Sequence, residues 1–123
     1  MLEYSNAQET SMPVPEFNMK IFELQAEISK TLAHPIRLAI LHLLKDGEKT
    51  VNELTETLGT SQSNISQHLA LMRQRKIVKT RKTGATVYYR LASPKIAQAC
   101  DIVRELLMEQ LGQSQEMAKA YSS

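Results

Sequence analysis

The sequence predicts a mainly α fold with one β-hairpin, built from five helices and two strands in the order α-α-α-α-β-β-α. Three observations carry this. Apolar residues recur at helical i, i+3, i+4 spacing through most of the chain. Two of the helical stretches are separated only by Gly59, Thr60 and Ser61. Over "IVKTRKTGATVYYRL" the period drops from 3.6 to 2, around a Thr83-Gly84 turn signal.

Each element follows from local chemistry. Residues 1–15 are polar, contain Pro13 and Pro15, and read as a flexible arm. A first helix runs from Glu16 to near Leu32, with Phe17, Ile21, Leu24 and Ile28 on one stripe. Pro35 suits the first turn of the second helix, Ile36, Ile40, Leu43 and Leu44 form its buried face, and Asp46-Gly47 stops it. The third helix opens with Thr50 and Glu53 at capping-box spacing, turns Val51, Leu54 and Leu58 inward, and ends at Gly59. Ser61 caps the fourth, whose stripe is Ile65, Leu69 and Met72. After the hairpin, Ser93 caps a last helix with Pro94 in its first turn and Ile96, Ala99, Cys100, Val103, Leu107 and Leu111 on its stripe. Residues 16–112 thus read as one domain, followed by a polar tail over 113–123. The order is that of a winged helix-turn-helix with an additional helix at each end.

Composition narrows the function. A chain of 123 residues, 42% hydrophobic and without Trp, suits one helical domain with a modest core. No apolar run approaches the ~20 residues of a membrane span. The first residues lack the basic region and apolar core of a signal peptide. The single cysteine, Cys100, excludes an intrachain disulfide framework. A cytoplasmic protein is the plain reading. There is no phosphate-cradling Gly-rich loop, no nucleophile elbow and no carboxylate pair at an expected cleft, so neither an enzyme nor a cofactor is expected.

The net charge of +2 conceals a strong asymmetry. Residues 57–100 contain no Asp or Glu and eight of the 15 basic residues: Arg73, Arg75, Lys76, Lys79, Arg81, Lys82, Arg90 and Lys95. All 13 acidic residues lie elsewhere. A carboxylate-free, cationic sector is what a polyanion requires, although it also suits a basic surface that merely keeps a protein in solution.

Within that sector the fourth helix carries an unusual outer face. At 100° per residue, Leu69 and Met72 fall within about 40° of Ile65, and Ser63, Gln67, Ala70 and Gln74 point nearly opposite, with Ser66 on the flank. Gln62 sits in the first turn. Amides and hydroxyls can pair with base edges, whereas carboxylates would repel phosphate and a row of long cations would grip every sequence alike. Downstream, Lys79, Arg81 and Lys82 on the hairpin, with Arg73 at the helix end, supply cations for the phosphate backbone. DNA is the expected partner, with Gln62, Ser63, Ser66 and Gln67 toward bases.

"LAHPIRLAILHLL", "VNELTETLG", "SQSNISQHLALMRQRKIV" and "GATVYYRL" together resemble the ArsR/SmtB winged-helix repressors of bacteria and archaea, over about Ile28 to Leu107. The resemblance implies a homodimer built by the first and last helices, near 16–32 and 94–112, that represses an operon until an effector releases it. It also implies that Gln62, Ser63, Ser66 and Gln67 face bases and that Arg81 and Lys82 lie on the wing. Dimerisation has independent support, since the terminal stripes exceed what a small trihelical core can cover. The competing class is a winged-helix protein-interaction module whose Leu-rich terminal helices hold a partner protein.

The resemblance also raises the question of a sensor site. Relatives that use thiolates carry a Cys pair on the first helix of the helix-turn-helix, where this chain has Val51-Asn52-Glu53-Leu54. Relatives that bind metal on the last helix use Asp and His, and this helix has no His. His34, His42 and His68 do not supply the three or four converging donors of a zinc or copper site, so no metal is expected. Cys100 reads first as a small core hydrophobe. Arg104, one turn on, leaves redox or persulfide sensing as a second reading.

Overall fold

The structure is a computed structural model, and it describes residues 18–112 together with 119 and 120. The expected arm, Phe17 of the first stripe and most of the polar tail lie outside the described residues. Contacts divide the chain into two units between Ala33 and His34.

The first unit contains α1, Met19–Leu32. It begins later than the expected Glu16 because Asn18 is the cap, its Oδ1 accepting the Lys20 N–H at 3.1 Å. Its apolar residues Met19, Ile21, Phe22, Leu24 and Ile28 are exposed.

The second unit starts with α2, Pro35–Leu43, capped by His34, whose Nδ1 accepts the Ile36 N–H at 3.1 Å. A 3-10 turn, Leu44–Asp46, tightens the helix end before Gly47. Ile40, Leu41 and Leu44 are buried, whereas Ile36 and Leu43 of the expected face are only half-buried. Leu41 turns inward because α2 is covered from several sides, by α3 (Val51–Leu58), α4 (Gln62–Gln74) and α5 (Pro94–Leu111). A helix surrounded in this way buries a broader arc than one stripe.

Both halves of the Thr50–Glu53 capping box form: the Thr50 N–H donates to Glu53 Oε1 at 2.8 Å and the Glu53 N–H to Thr50 Oγ1 at 3.2 Å. Gly59 ends α3 at φ 69°, its N–H donating to the Thr55 carbonyl at 2.8 Å. Ser61 then caps α4, accepting the Asn64 N–H at 3.1 Å. Ile65, Leu69 and Met72 are fully buried, with Leu54 of α3 against the same core.

The C-terminal end of α4 departs from expectation. Lys76 adopts φ 64°, a left-handed conformation that the sequence does not announce with Gly or Asn. The Ile77 N–H donates to the Met72 carbonyl at 2.8 Å and the Lys76 N–H to the Arg73 carbonyl at 3.0 Å, which is a Schellman closure. Met72 and Ile77, the two hydrophobic ends of that motif, are both buried.

The hairpin pairs β1, Val78–Thr83, antiparallel with β2, Thr86–Leu91, in the register Val78↔Leu91 to Thr83↔Thr86. Gly84, at φ 59°, opens the tight turn between Thr83 and Thr86. Lys49 extends the sheet by one bridge: its N–H donates to the Tyr89 carbonyl at 3.0 Å and its carbonyl accepts the Tyr89 N–H at 2.8 Å. In α5, capped by Ser93, the buried residue is Ala97, not the expected Ala99. The stripe reaches the core only near its start; Ile102, Val103, Leu106 and Leu107 are exposed.

Candidate nucleic-acid interface

Helix α4 meets the solvent with uncharged groups. Ser63, Gln67, Ala70 and Gln74 are exposed opposite the fully buried Ile65, Leu69 and Met72, and Ser66 on the flank and Gln62 in the first turn are exposed as well. Hydrogen bonds fix the entry to this helix: Asn64 Nδ2 donates to Thr60 Oγ1 at 2.9 Å, and Gln62 Nε2 donates to Asn52 Oδ1 of α3. The Gln62 amide therefore leans back onto α3. Ser63, Ser66 and Gln67 carry no side-chain hydrogen bond among the described residues, so their donors and acceptors are available to a ligand.

The hairpin distributes its cations over two faces. Strand alternation puts Lys79 and Arg81 on one face of β1 and Lys82 on the other, and across the ladder Arg81 pairs with Tyr88 and Lys79 with Arg90. Lys79 and Lys82 are exposed and, like Arg73 at the end of α4, carry no ion pair among the described residues. Arg81 differs. Its Nε donates to Glu48 Oε2 at 2.9 Å and its Nη2 to Glu48 Oε1 at 2.8 Å, a bidentate fork. Its Nη1 donates to Thr83 Oγ1 at 2.6 Å, and its guanidinium carbon lies 4.6 Å from the Tyr88 ring centroid. The Arg81 hydrogen bond holds the Glu48 carboxyl below the usual carboxylate range, and Glu48 in turn raises the Arg81 guanidinium.

On the inner side of α4, His68 is half-buried against the His34 cap, with ring centroids 4.4 Å apart. Burial, and then the neighbouring His34 and Arg37, push the His68 imidazole down.

The arrangement matches known proteins. Residues 34–80 fit the family described as "Bacterial regulatory protein, arsR family". An uncharacterised HTH-type transcriptional regulator of Mycobacterium tuberculosis is 39% identical over 88 residues, 71% of this chain and 77% of that protein. The chain belongs to the arsR family of bacterial regulatory proteins. In three dimensions it is similar to the transcriptional repressor BigR from Xylella fastidiosa, with TM-score 0.68 and 34% identity over 76% of this chain and 95% of that one. It is also similar to the homodimeric winged helix-turn-helix DNA-binding domain of Mb0332 from Mycobacterium bovis, with TM-score 0.69 and 28% identity over 77% of this chain and 88% of that one.

The protein is thus a winged helix-turn-helix regulator of transcription, and its remaining sequence features can be placed on that frame. Cys100 is half-buried, and burial together with the adjacent Asp101 pushes its thiol up. Arg104 does not reverse this, because its Nη2 donates to Asp101 Oδ1 at 2.6 Å. Lys45 Nζ reaches Asp101 Oδ2 at 3.0 Å, tying the turn after α2 to α5. Among the described residues no three His, Cys, Asp or Glu side chains converge as a metal site would require, and no helix is long and apolar enough to cross a membrane. The residues that sequence reasoning missed in this arsR-family chain are Glu48, Asn52 and Tyr88. Each acts through a partner on another element, Glu48 through Arg81, Asn52 through Gln62 and Tyr88 through Arg81, and no local motif marks them.

Proposed function

We propose that this regulator is a homodimeric repressor that binds a pseudo-palindromic operator and leaves it in response to an effector. The observation that carries the reading is the exposed, uncharged face of α4 lying on the same carboxylate-free segment as a cationic hairpin. In this reading Gln62, Ser63, Ser66 and Gln67 meet base edges in the major groove, where amides and hydroxyls discriminate between base pairs. Arg73, Lys79, Lys82 and the outer edge of Arg81 meet phosphates and fix the register. The exposed apolar residues of α1 and α5 form the dimer interface; Mb0332, a structural relative, is described as a homodimer. A two-fold axis would then set the two recognition helices about 34–36 Å apart, one duplex turn. The regulator works in the cytoplasm, and no catalytic step belongs to this reading.

Titration of labelled duplex at several salt concentrations tests it. Binding should prefer one promoter sequence, with log K falling by about 0.9 for each phosphate neutralised per unit of log salt. Equal, weak binding to all duplexes, without a salt slope, would favour the protein-interaction module instead.

A further inference from the structure

Within the DNA reading above, we infer that Glu48 attenuates the regulator's grip on the phosphate backbone by holding Arg81 as a neutral pair on the wing.

The hairpin carries Lys79, Arg81, Lys82 and Arg90 and no acid of its own. Glu48 comes from outside the carboxylate-free segment. It is delivered by the antiparallel bridge between its neighbour Lys49 and Tyr89, which puts residue 48 across from Arg90, on the sheet face that also carries Tyr88 and Arg81. Both carboxylate oxygens are engaged by Arg81, and the side chains remain partly exposed, at 51% for Arg81 and 30% for Glu48. An exposed ion pair of this kind adds little to folding stability. Its effect on a polyanion is larger, because the phosphate term is counted per charge delivered.

Three of the five guanidinium N–H donors are used, by Glu48 and Thr83, which leaves two on the outer edge. Arg81 can still hydrogen-bond a phosphate through those donors, but it does so as part of a neutral pair, with a carboxylate nearby. A phosphate that takes the inner edge must first displace a bidentate acceptor that Thr83 and the Tyr88 ring help to hold in line. The wing therefore meets DNA one cation short of its sequence count. Glu48 acts on DNA through Arg81, as a positioning residue.

The test compares the protein with Glu48→Gln, an isosteric change at a partly exposed site, and with Glu48→Gln/Arg81→Gln, each checked for folding by circular dichroism. Glu48→Gln should bind every duplex more tightly and steepen the salt slope by about 0.9. By that slope its advantage shrinks about three- to fourfold between roughly 50 and 200 mM salt. A scan of single methylphosphonate substitutions along the duplex should reveal one phosphate per half-site that becomes sensitive in Glu48→Gln and is silent again in the double variant. If Glu48→Gln weakens binding or leaves the slope unchanged, the pair is a structural buttress and the inference fails. It fails equally if the gain survives in full without Arg81. A wild-type protein with no salt-graded binding to any duplex removes the DNA reading itself, and this inference with it.

Discussion

The imidazoles of His34 and His68 lie 4.4 Å apart, tilted by 49°, and join the cap of α2 to the inner flank of α4. Burial, and then His34 and Arg37, push the His68 imidazole below its ordinary value and so oppose its protonation. An unfolded chain has no such constraint and takes up a proton at His68 below about pH 6.5.

The sign of the pH dependence follows from that difference. Because the folded-state value of His68 is depressed, the unfolded state binds more protons below about pH 6.5. Stability should be steady above that pH and decline as pH falls through the window between the unfolded and folded values. Urea midpoints at neutral pH and in mild acid measure the decline, and His68→Gln should flatten it. An unchanged slope in the variant would assign the acid sensitivity elsewhere.

Base reading and phosphate binding should separate by mutation. Gln67→Ala should cost about 1–3 kcal/mol on the preferred operator and leave binding to arbitrary duplex nearly intact. Lys82→Ala, at an exposed cation with no partner among the described residues, should weaken all duplexes alike and flatten the salt slope by about one. Equal effects of the two changes on both kinds of DNA would remove the division of roles.

The two faces of α4 should also separate by stability. Ile65→Ala, at a fully buried position, should destabilise by about 2–5 kcal/mol, while Ser63→Ala on the exposed face should stay within about 0.5 kcal/mol. Denaturant titration reads both. A large cost at Ser63 would mean that its hydroxyl supports the fold.

At the end of the same helix, Lys76→Gly relieves the left-handed strain of a Cβ-bearing residue, offset in part by unfolded-state entropy. The expected result is a gain of up to about 1 kcal/mol in the urea-derived stability. A loss would show that the Lys76 side chain contributes more than its backbone costs.

Cys100 should prove dispensable for sensing. Its thiol is raised by burial and Asp101, which lowers the thiolate fraction that oxidants and persulfide donors attack. Cys100→Ser should retain DNA binding and any response of that binding to oxidant, measured by gel shift after peroxide treatment. Loss of an oxidant response in the variant would restore the redox reading.

Much of this fold is legible one segment at a time. Ser61 and Ser93 cap where a short hydroxyl precedes an apolar period, and Thr50 with Glu53 closes the box that their spacing announces. Lys76 was not legible, because nothing in its side chain favours positive φ. It is imposed by Met72 and Ile77, which must both reach the core across the helix end. Leu41 was not legible either, since its burial depends on how many neighbours α2 acquires.

The sequence by itself determined the elements, their caps and the uncharged outer face of α4, because these depend on residues within a turn or two of one another. It also determined that residues 57–100 carry no carboxylate. Only the tertiary structure decided that the wing has one after all. Glu48 and Arg81 are 33 positions apart, and they meet because hairpin register and the Lys49–Tyr89 bridge bring them to one face. Charge along a chain is a local property, but the field at a surface is summed over whatever folding brings there.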